Sequence, residues 1–227
     1  MTIVEINKLT KTYQQNSIKV HALSDVSVNI EAGEFTVMVG PSGSGKTTLL
    51  NHIGALDTPT SGEISIRGQS LSQLSRSQLT ALRLWKIGFI FQEYNLISVL
   101  TAKENVEYVM LLQGVNAKER RLRSEAILSE VGLADMANRR PNELSGGQQQ
   151  RVAVARAMVT QPSIILADEP TANLDSKTGA NLLDLMRELN KVHGITFLFS
   201  THDQMVMDRA KRVLHLKDGR IVSDEKR

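Results

Sequence analysis

At 227 residues, with 41% hydrophobic and 22% charged side chains, the chain has the size and make-up of an ordinary globular domain with a sizeable core, which sets aside disordered and fibrous classes. The absence of cysteine excludes disulfides, thiolate zinc sites and thiol catalysis, and no stretch reaches the roughly 20 apolar residues that span a bilayer. A net charge of +3, from 27 basic and 24 acidic residues, is too small for a nucleic-acid footprint; the one basic cluster, KERRLR at 118–123, reads as a solvated helix face, and no nucleic-acid partner is expected.

The N-terminus MTIVEINKLTK lacks the basic start, apolar centre and small-residue cleavage site of a signal peptide, so a cytosolic chain is expected. Val4 and Ile6 alternate with polar residues, as do Val26, Val28 and Ile30. These are half-buried, antiparallel strands. Tyr13, between them, is an exposed aromatic and a candidate for stacking on a base. The apolar run 35–39 predicts a buried parallel strand, residues 40–47 fit G-x-x-x-x-G-K-[ST], and Leu49, Leu50 and Ile53 recur at helical spacing behind them. Strand, glycine loop and helix in this order make a phosphate cradle from Gly40, Pro41, Ser42, Gly43, Ser44, Gly45, Lys46, Thr47 and Thr48. Gly40, Gly43 and Gly45 let backbone N–H groups turn inward around an anion. Lys46 reaches the β- and γ-phosphates, Thr47 ligates Mg²⁺, Thr48 touches the α-phosphate, and the helix adds the positive end of its dipole.

Residues 57–62 are a turn-rich break and 63–68 a short strand. Ser75 caps a helix running to about Trp85, and 86–92 is an apolar strand. Thr101 with Glu104, and Asn116 with Glu119, read as capping boxes opening two helices, the second ended by Gly132, so 101–131 is a mostly helical insert. Ser145, Gly146 and Gly147 open a further helix whose first turn carries no carboxylate, which makes its N-terminus a second anion site. The strand 163–167 ends in Asp168 and Glu169, at the sheet edge where ligands of parallel sheets collect. Asp168 is expected to hold Mg²⁺ through water and Glu169 to polarise the attacking water. Ser176 is expected to cap a helix with Leu182, Leu183, Leu185, Met186 and Leu189 in the core, ended by Gly194. The strand 195–200 then delivers Thr201, His202 and Asp203 to the same edge, with His202 in reach of a γ-phosphate.

Taken together, GPSGSGKTT, Phe91-Gln92, LSGGQ at 144–148, IILADE, ANLD and Thr201-His202 resemble the ATP-binding cassette of ABC transporters over nearly the whole chain. The resemblance implies a P-loop NTPase core with a mainly parallel sheet, an N-terminal antiparallel β subdomain and an inserted helical subdomain. The division is one domain over 1–227, with core and β parts at about 1–92 and 161–227 and a helical part at about 93–160. It implies that Tyr13 stacks on adenine, Gln92 touches Mg²⁺ and couples to membrane subunits, Glu169 is the catalytic base and His202 contacts the γ-phosphate. It also implies that Ser145 and Gly147, with Gln148 in the same motif, close over ATP held by a second copy, with Asp175 at the dimer seam. IGFIFQEYNLISVLTAKENV and LSGGQQQRVAVARAMV are similar to the lipoprotein-releasing and macrolide-exporting branch, the LolD and MacB type. The implied protein is an ATPase using ATP and Mg²⁺, peripheral on the cytoplasmic face of the inner membrane. Its implied partners are a second copy and integral membrane permease subunits, in lipoprotein release or export of drugs, peptides or toxins. The loop after Gln92 is expected to expose Tyr94, Leu96, Ile97 and Leu100 to a helix of such a subunit. The competing class, a soluble ABC ATPase of DNA repair or translation, resembles this cassette but carries coiled-coil or zinc-bearing insertions or a second cassette, and these motifs do not occur here.

Overall fold

The computed structural model describes residues 1–15 and 18–227. In chain order these form β1 (Thr2–Gln15), β2 (Ile18–Glu31), β3 (Phe35–Val39), α1 (Lys46–Ile53), β4 (Ser61–Ile66), β5 (Gln69–Ser70), α2 (Arg76–Lys86), β6 (Ile87–Ile90), α3 (Ala102–Leu112), α4 (Ala117–Glu130), α5 (Gly146–Met158), β7 (Ile164–Asp168), α6 (Ser176–His193), β8 (Thr196–Thr201), α7 (Gln204–Met207), β9 (Arg212–Lys217) and β10 (Arg220–Lys226). Two sheets result. One is antiparallel, in the order β2-β1-β4-β5; the other runs β10-β9-β3-β8-β7-β6, parallel throughout except for β10 at its edge.

The strands of the larger sheet are apolar on both faces because both faces are covered, and their period of two sorts the side chains into separate layers. Phe35, Val37, Val39, Ile165, Ala167, Phe197 and Phe199 join the buried faces of α3, α4, α5 and α6. Met38, Ile164, Leu166, Leu198 and Leu214 join Leu49, Leu50 and Ile53 of α1 and the inner face of the antiparallel sheet. The expected α/β architecture is therefore present, with α1 sandwiched between the two sheets. Each fully buried side chain of this size stabilises the fold by about 1.5–3 kcal/mol.

Helix starts follow local chemistry. Ser75 and Thr101 form reciprocal capping boxes with Gln78 and Glu104. Asn116 also caps, accepting from the Glu119 N–H, but the box is not completed, because the Glu119 carboxylate accepts instead from Arg123 Nε one turn on. A second correction concerns α6, which is capped by Asp175 and not Ser176. Asp175 Oδ1 accepts from the N–H groups of Lys177 (3.1 Å) and Thr178 (3.0 Å), and bonds from Thr178 hold its carboxyl below the usual range. An aspartate is as good an N-cap as a serine and adds a negative charge at the positive end of the helix. The sequence reading stops at Asp203, yet β9 and β10 follow, joined by Asp218 and Gly219 with φ of 49° and 73°. Asp-Gly between two alternating runs is the turn signal that would have located them.

Candidate functional site

β3 lies between β9 and β8, and the loop 40–45 leaves it at the C-terminal edge of the parallel strands. Gly45 has φ 101°, and a β-carbon there would come within 2.6 Å of the Ala22 carbonyl of β2; Gly43, with φ 78°, faces open space, so left-handed backbone alone requires glycine. The loop is braced from outside by the Gly219 N–H, which donates to the Ser44 carbonyl at 3.1 Å. Lys46 is buried, its Nζ donating to the carbonyls of Gly40 (2.7 Å) and Pro41 (3.1 Å). The first turn of α1 holds no acid, which leaves its dipole free to act on an anion. Together with Val20, His21 and Ala22 of β2, residues 41–48, Glu169 and His202 line a groove of about 580 Å³.

At the adjoining strand ends, Thr47 Oγ1 donates to Asp168 Oδ1 at 3.3 Å. Burial pushes the Asp168 carboxyl up, the Glu169 charge adds to this, and the Thr47 hydroxyl and the Lys46 charge oppose it. A half-buried carboxylate beside a hydroxyl, with its charge penalised, is a fit for a cation. No cluster of three or more His, Asp or Glu able to hold a metal occurs among the described residues. This donor set suits Mg²⁺, which keeps waters and phosphate oxygens as its other ligands. Glu169 has φ 45°, and its N–H donates to the Ser200 carbonyl at 2.8 Å. Its carboxylate accepts from Thr201 Oγ1 at 2.9 Å and lies 2.8 Å from His202 Nδ1, so β7 and β8 deliver all three side chains to one point. Gln92 is held elsewhere: its Nε2 donates to Asn173 Oδ1 at 3.4 Å, and Asn173 returns a bond to the Gln92 carbonyl at 3.0 Å.

Tyr13, on β1, is 40% exposed and is not among the residues that line the P-loop groove. Its hydroxyl donates to Asp57 Oδ2 at 2.7 Å, and burial together with that carboxylate pushes the phenol up to about 12. Asp57, which in the sequence reads only as part of a turn, also accepts from Lys11 Nζ at 2.8 Å.

The Ser-Gly-Gly helix carries a complete capping box: Ser145 Oγ accepts from the Gln148 N–H at 3.3 Å, and Gln148 Oε1 accepts from the Ser145 N–H at 2.8 Å. A β-carbon on Gly147 would come within 2.4 Å of Thr178 Cγ2, so this glycine lets α5 and α6 approach closely. Ser145, Gly147, Gln148, Arg151, Thr178 and Asn181 line a cleft of about 270 Å³ that shares no residue with the P-loop groove.

The family model described as ABC transporter matches residues 23–172. The chain belongs to this family. The macrolide export ATP-binding/permease protein MacB of Hyphomonas neptunium is 48% identical over 98% of the chain, which spans 34% of that protein's length. An uncharacterized ABC transporter ATP-binding protein of Thermotoga maritima is 47% identical over 99% of the chain and 96% of its own length. Among solved structures, the dimeric post-hydrolysis state of the ATP-binding cassette MJ0796 bound to ADP and Pi matches with a TM-score of 0.90 and 46% identity, covering 99% of this chain and 98% of that one.

In this ABC cassette the loop after Gln92 departs from expectation. Leu96 packs against the helix-side core, Leu100 and Tyr94 are half-buried, and the exposed apolar residues are Val99 (70%) and Ile97 (38%). The loop is fastened from below: Asn105 Nδ2 donates to the carbonyls of Ile97, Leu100 and Thr101, and Arg156 donates to those of Tyr94 and Asn95. These polar anchors, Asn105 just beyond the loop and Arg156, 62 residues beyond Tyr94, hold its backbone while Leu96 packs against the core. Beside the loop runs a groove of about 420 Å³ lined by residues such as Leu56, Leu84, Phe89, Phe91 and Val109.

Proposed function

We propose that this cassette binds and hydrolyses Mg²⁺–ATP, and that ATP-driven closure of a homodimer energises membrane subunits of the macrolide-export and lipoprotein-release type. The reading is carried by one observation: a carboxylate oriented by Thr201 and His202 stands beside the phosphate loop, while the Ser-Gly-Gly helix opens into a separate cleft of the same chain. The similar MJ0796 cassette, dimeric and bound to ADP and Pi, supports it.

In this reading Lys46 exchanges the Gly40 and Pro41 carbonyls for β- and γ-phosphate oxygens, and the Tyr13 ring takes the adenine. Thr47 and, through water, Asp168 would hold Mg²⁺, joined by Gln92 once its amide leaves Asn173, and the ion would neutralise charge on the phosphates. Glu169 accepts the proton of the attacking water, with its two oxygens kept in place by Thr201 and His202, and His202 reaches the γ-phosphate. Ser145, Gly147 and Gln148 of a second copy close over the nucleotide, with Asp175 at the seam. Residues 93–160 move as a helical unit on the core, and the groove that Asn95 helps to line receives a short helix from a permease at the cytoplasmic face of the membrane. No helix among the described residues is long and apolar enough to cross that membrane itself. The test is phosphate release by the purified chain and by Lys46→Ala: loss of most activity is expected, and unchanged hydrolysis in the variant would remove the site assignment.

A further inference from the structure

α5 buries a polar side chain that the chemistry above does not use. Gln150 is fully out of solvent, on the same inward stripe as Val154 and Ala157, where an aliphatic residue would be ordinary. Its Nε2 donates to the Pro170 carbonyl at 2.7 Å and to the Phe91 carbonyl at 3.2 Å. Carbonyls only accept, so these two bonds fix which way the amide faces, and Oε1 is left without a partner. Pro170 directly follows Glu169, and Phe91 directly precedes Gln92. One buried amide therefore clamps α5 to the chain beyond β7 and to the chain beyond β6. A second stitch joins the same two loops, where Asn173 Nδ2 donates to the Gln92 carbonyl at 3.0 Å.

We propose that Gln150 is a positioning residue for Glu169: braced on Phe91, it grips Pro170 and so fixes the backbone that aims the Glu169 carboxylate into the P-loop groove. The proposal rests on the reading that Glu169 accepts the proton of the attacking water. Glu169 is held on its N-terminal side by its own N–H bond to Ser200, and at its carboxylate by Thr201 and His202. On its C-terminal side the Ala172 N–H donates to the Glu169 carbonyl at 3.2 Å, which closes a turn without tying it to another element. Pro170 has no N–H to offer, so its carbonyl is the handle left there, and Gln150 takes it. The left-handed backbone of Glu169, with φ 45°, is thereby pinned from both sides. α5 begins at the Ser145 cleft, so the same amide connects the base to the helix expected to meet the second copy's nucleotide.

The experiment compares wild type with Gln150→Met, of similar length and volume but without a donor, and with Gln150→Glu, whose carboxyl, kept neutral by burial, can donate one O–H. Phosphate release, equilibrium ATP binding and urea unfolding are measured on each. Expected is a kcat roughly tenfold lower for Gln150→Met and less reduced for Gln150→Glu, with KM and ATP affinity within about twofold of wild type. In a Glu169→Gln background, Gln150→Met should lower the residual hydrolysis by less than about twofold, because its effect runs through the carboxylate. A merely structural role would lower stability while leaving kcat per folded molecule unchanged, or would reduce hydrolysis equally in both backgrounds. Either result overturns the proposal, as does failure of both Gln150 variants to fold. Failure of the underlying reading looks different: Glu169→Gln alone would hydrolyse ATP at the wild-type rate, and the proposal would fall with it.

Discussion

Glu169 occupies the left-handed region that a glutamate rarely enters, and it is kept there by its N–H bond to Ser200 and by the two groups on its carboxylate. Strain of this kind, on the order of 1–3 kcal/mol, persists where the surroundings over-determine it, commonly at reacting sites. Glu169→Gln preserves shape and can still bond to Thr201 and His202, but its amide cannot take a proton from water. Hydrolysis is expected to fall roughly 10²- to 10⁴-fold with ATP affinity retained, as read by phosphate release against equilibrium binding. A variant that loses binding instead would make Glu169 a nucleotide contact. Asp57 supplies a pH dependence of stability. Its carboxyl lies near 2 in the folded chain against an ordinary 3.8, so the folded state binds its proton less readily than the unfolded one. The resulting stabilisation, on the order of 2 kcal/mol, is present in full above about pH 4 and lost as pH falls toward 2. Urea titrations of Asp57→Asn should show a flatter acid limb over that window. The two residues differ in how visible they are in the sequence. Lys46, Thr47, Asp168, Glu169 and His202 each sit in a glycine loop or directly after an apolar strand, so a local pattern finds them. Asp57 gains its meaning only when β1 brings Tyr13 and Lys11, 44 and 46 residues away, against the segment after α1.

At the scale of elements, legibility follows how local the deciding interaction is. Ser75 and Thr101 find their partners three residues on, and those helices begin where the spacing predicts. Asn116 and Ser176 miss by one interaction each, because Arg123 competes for Glu119 and Asp175 stands one place earlier in the turn. The loop 92–101 differs from expectation at Tyr94, Leu96 and Leu100, though not at Ile97, for a stronger reason. Its form is dictated by Asn105 and Arg156 from two different helices, which turn Leu96 inward and Val99 outward, and nothing in the run EYNLISVL encodes that choice. The functional consequence is specific. Leu96→Glu would place a charge against the core and destabilise the fold. Val99→Glu changes an exposed position of the loop whose Asn95 helps to line the Phe89–Phe91 groove, and is expected to leave the ATPase rate of the isolated chain near wild type while reducing its stimulation by membrane subunits. Rates with and without the partner in one preparation decide the matter, since full stimulation of Val99→Glu would move the docking surface away from this loop.

For the whole molecule, the α/β class with an antiparallel and a mainly parallel sheet was readable because apolar runs, glycines and acids recur at strand ends, whereas the strand order, with β9 and β10 at one edge, was not. The relation between the P-loop groove and the Ser-Gly-Gly cleft was not readable from the residues, because no contact within one chain joins them; only resemblance suggested a second copy. The separate linings of the groove and the cleft agree with that suggestion. The start of α5 opens away from the chain's own P-loop groove, so its N–H groups would lack an anion from that groove, and a γ-phosphate there would lack a donor from its own α5. Each lack is met if two copies face each other with ATP between them, so nucleotide should be the glue of the dimer and the free chain should be monomeric or open. Ser145→Arg tests this directly. It removes the cap that Gln148 completes, at a cost of about 1 kcal/mol to the helix, and places a long side chain where the partner's nucleotide must sit. The folded monomer should persist, because Ser145 is exposed and the α5 core residues Val152, Val154 and Ala155 are untouched. Light scattering with ATP in the Glu169→Gln background, where the nucleotide is not consumed, should show a dimer for that chain alone and a monomer once Ser145→Arg is added. ATP binding to each monomer should remain, since the P-loop groove is unchanged. A dimer that forms equally well with both substitutions would mean that the copies meet through another surface and that the cleft at Ser145 is not half of a shared site.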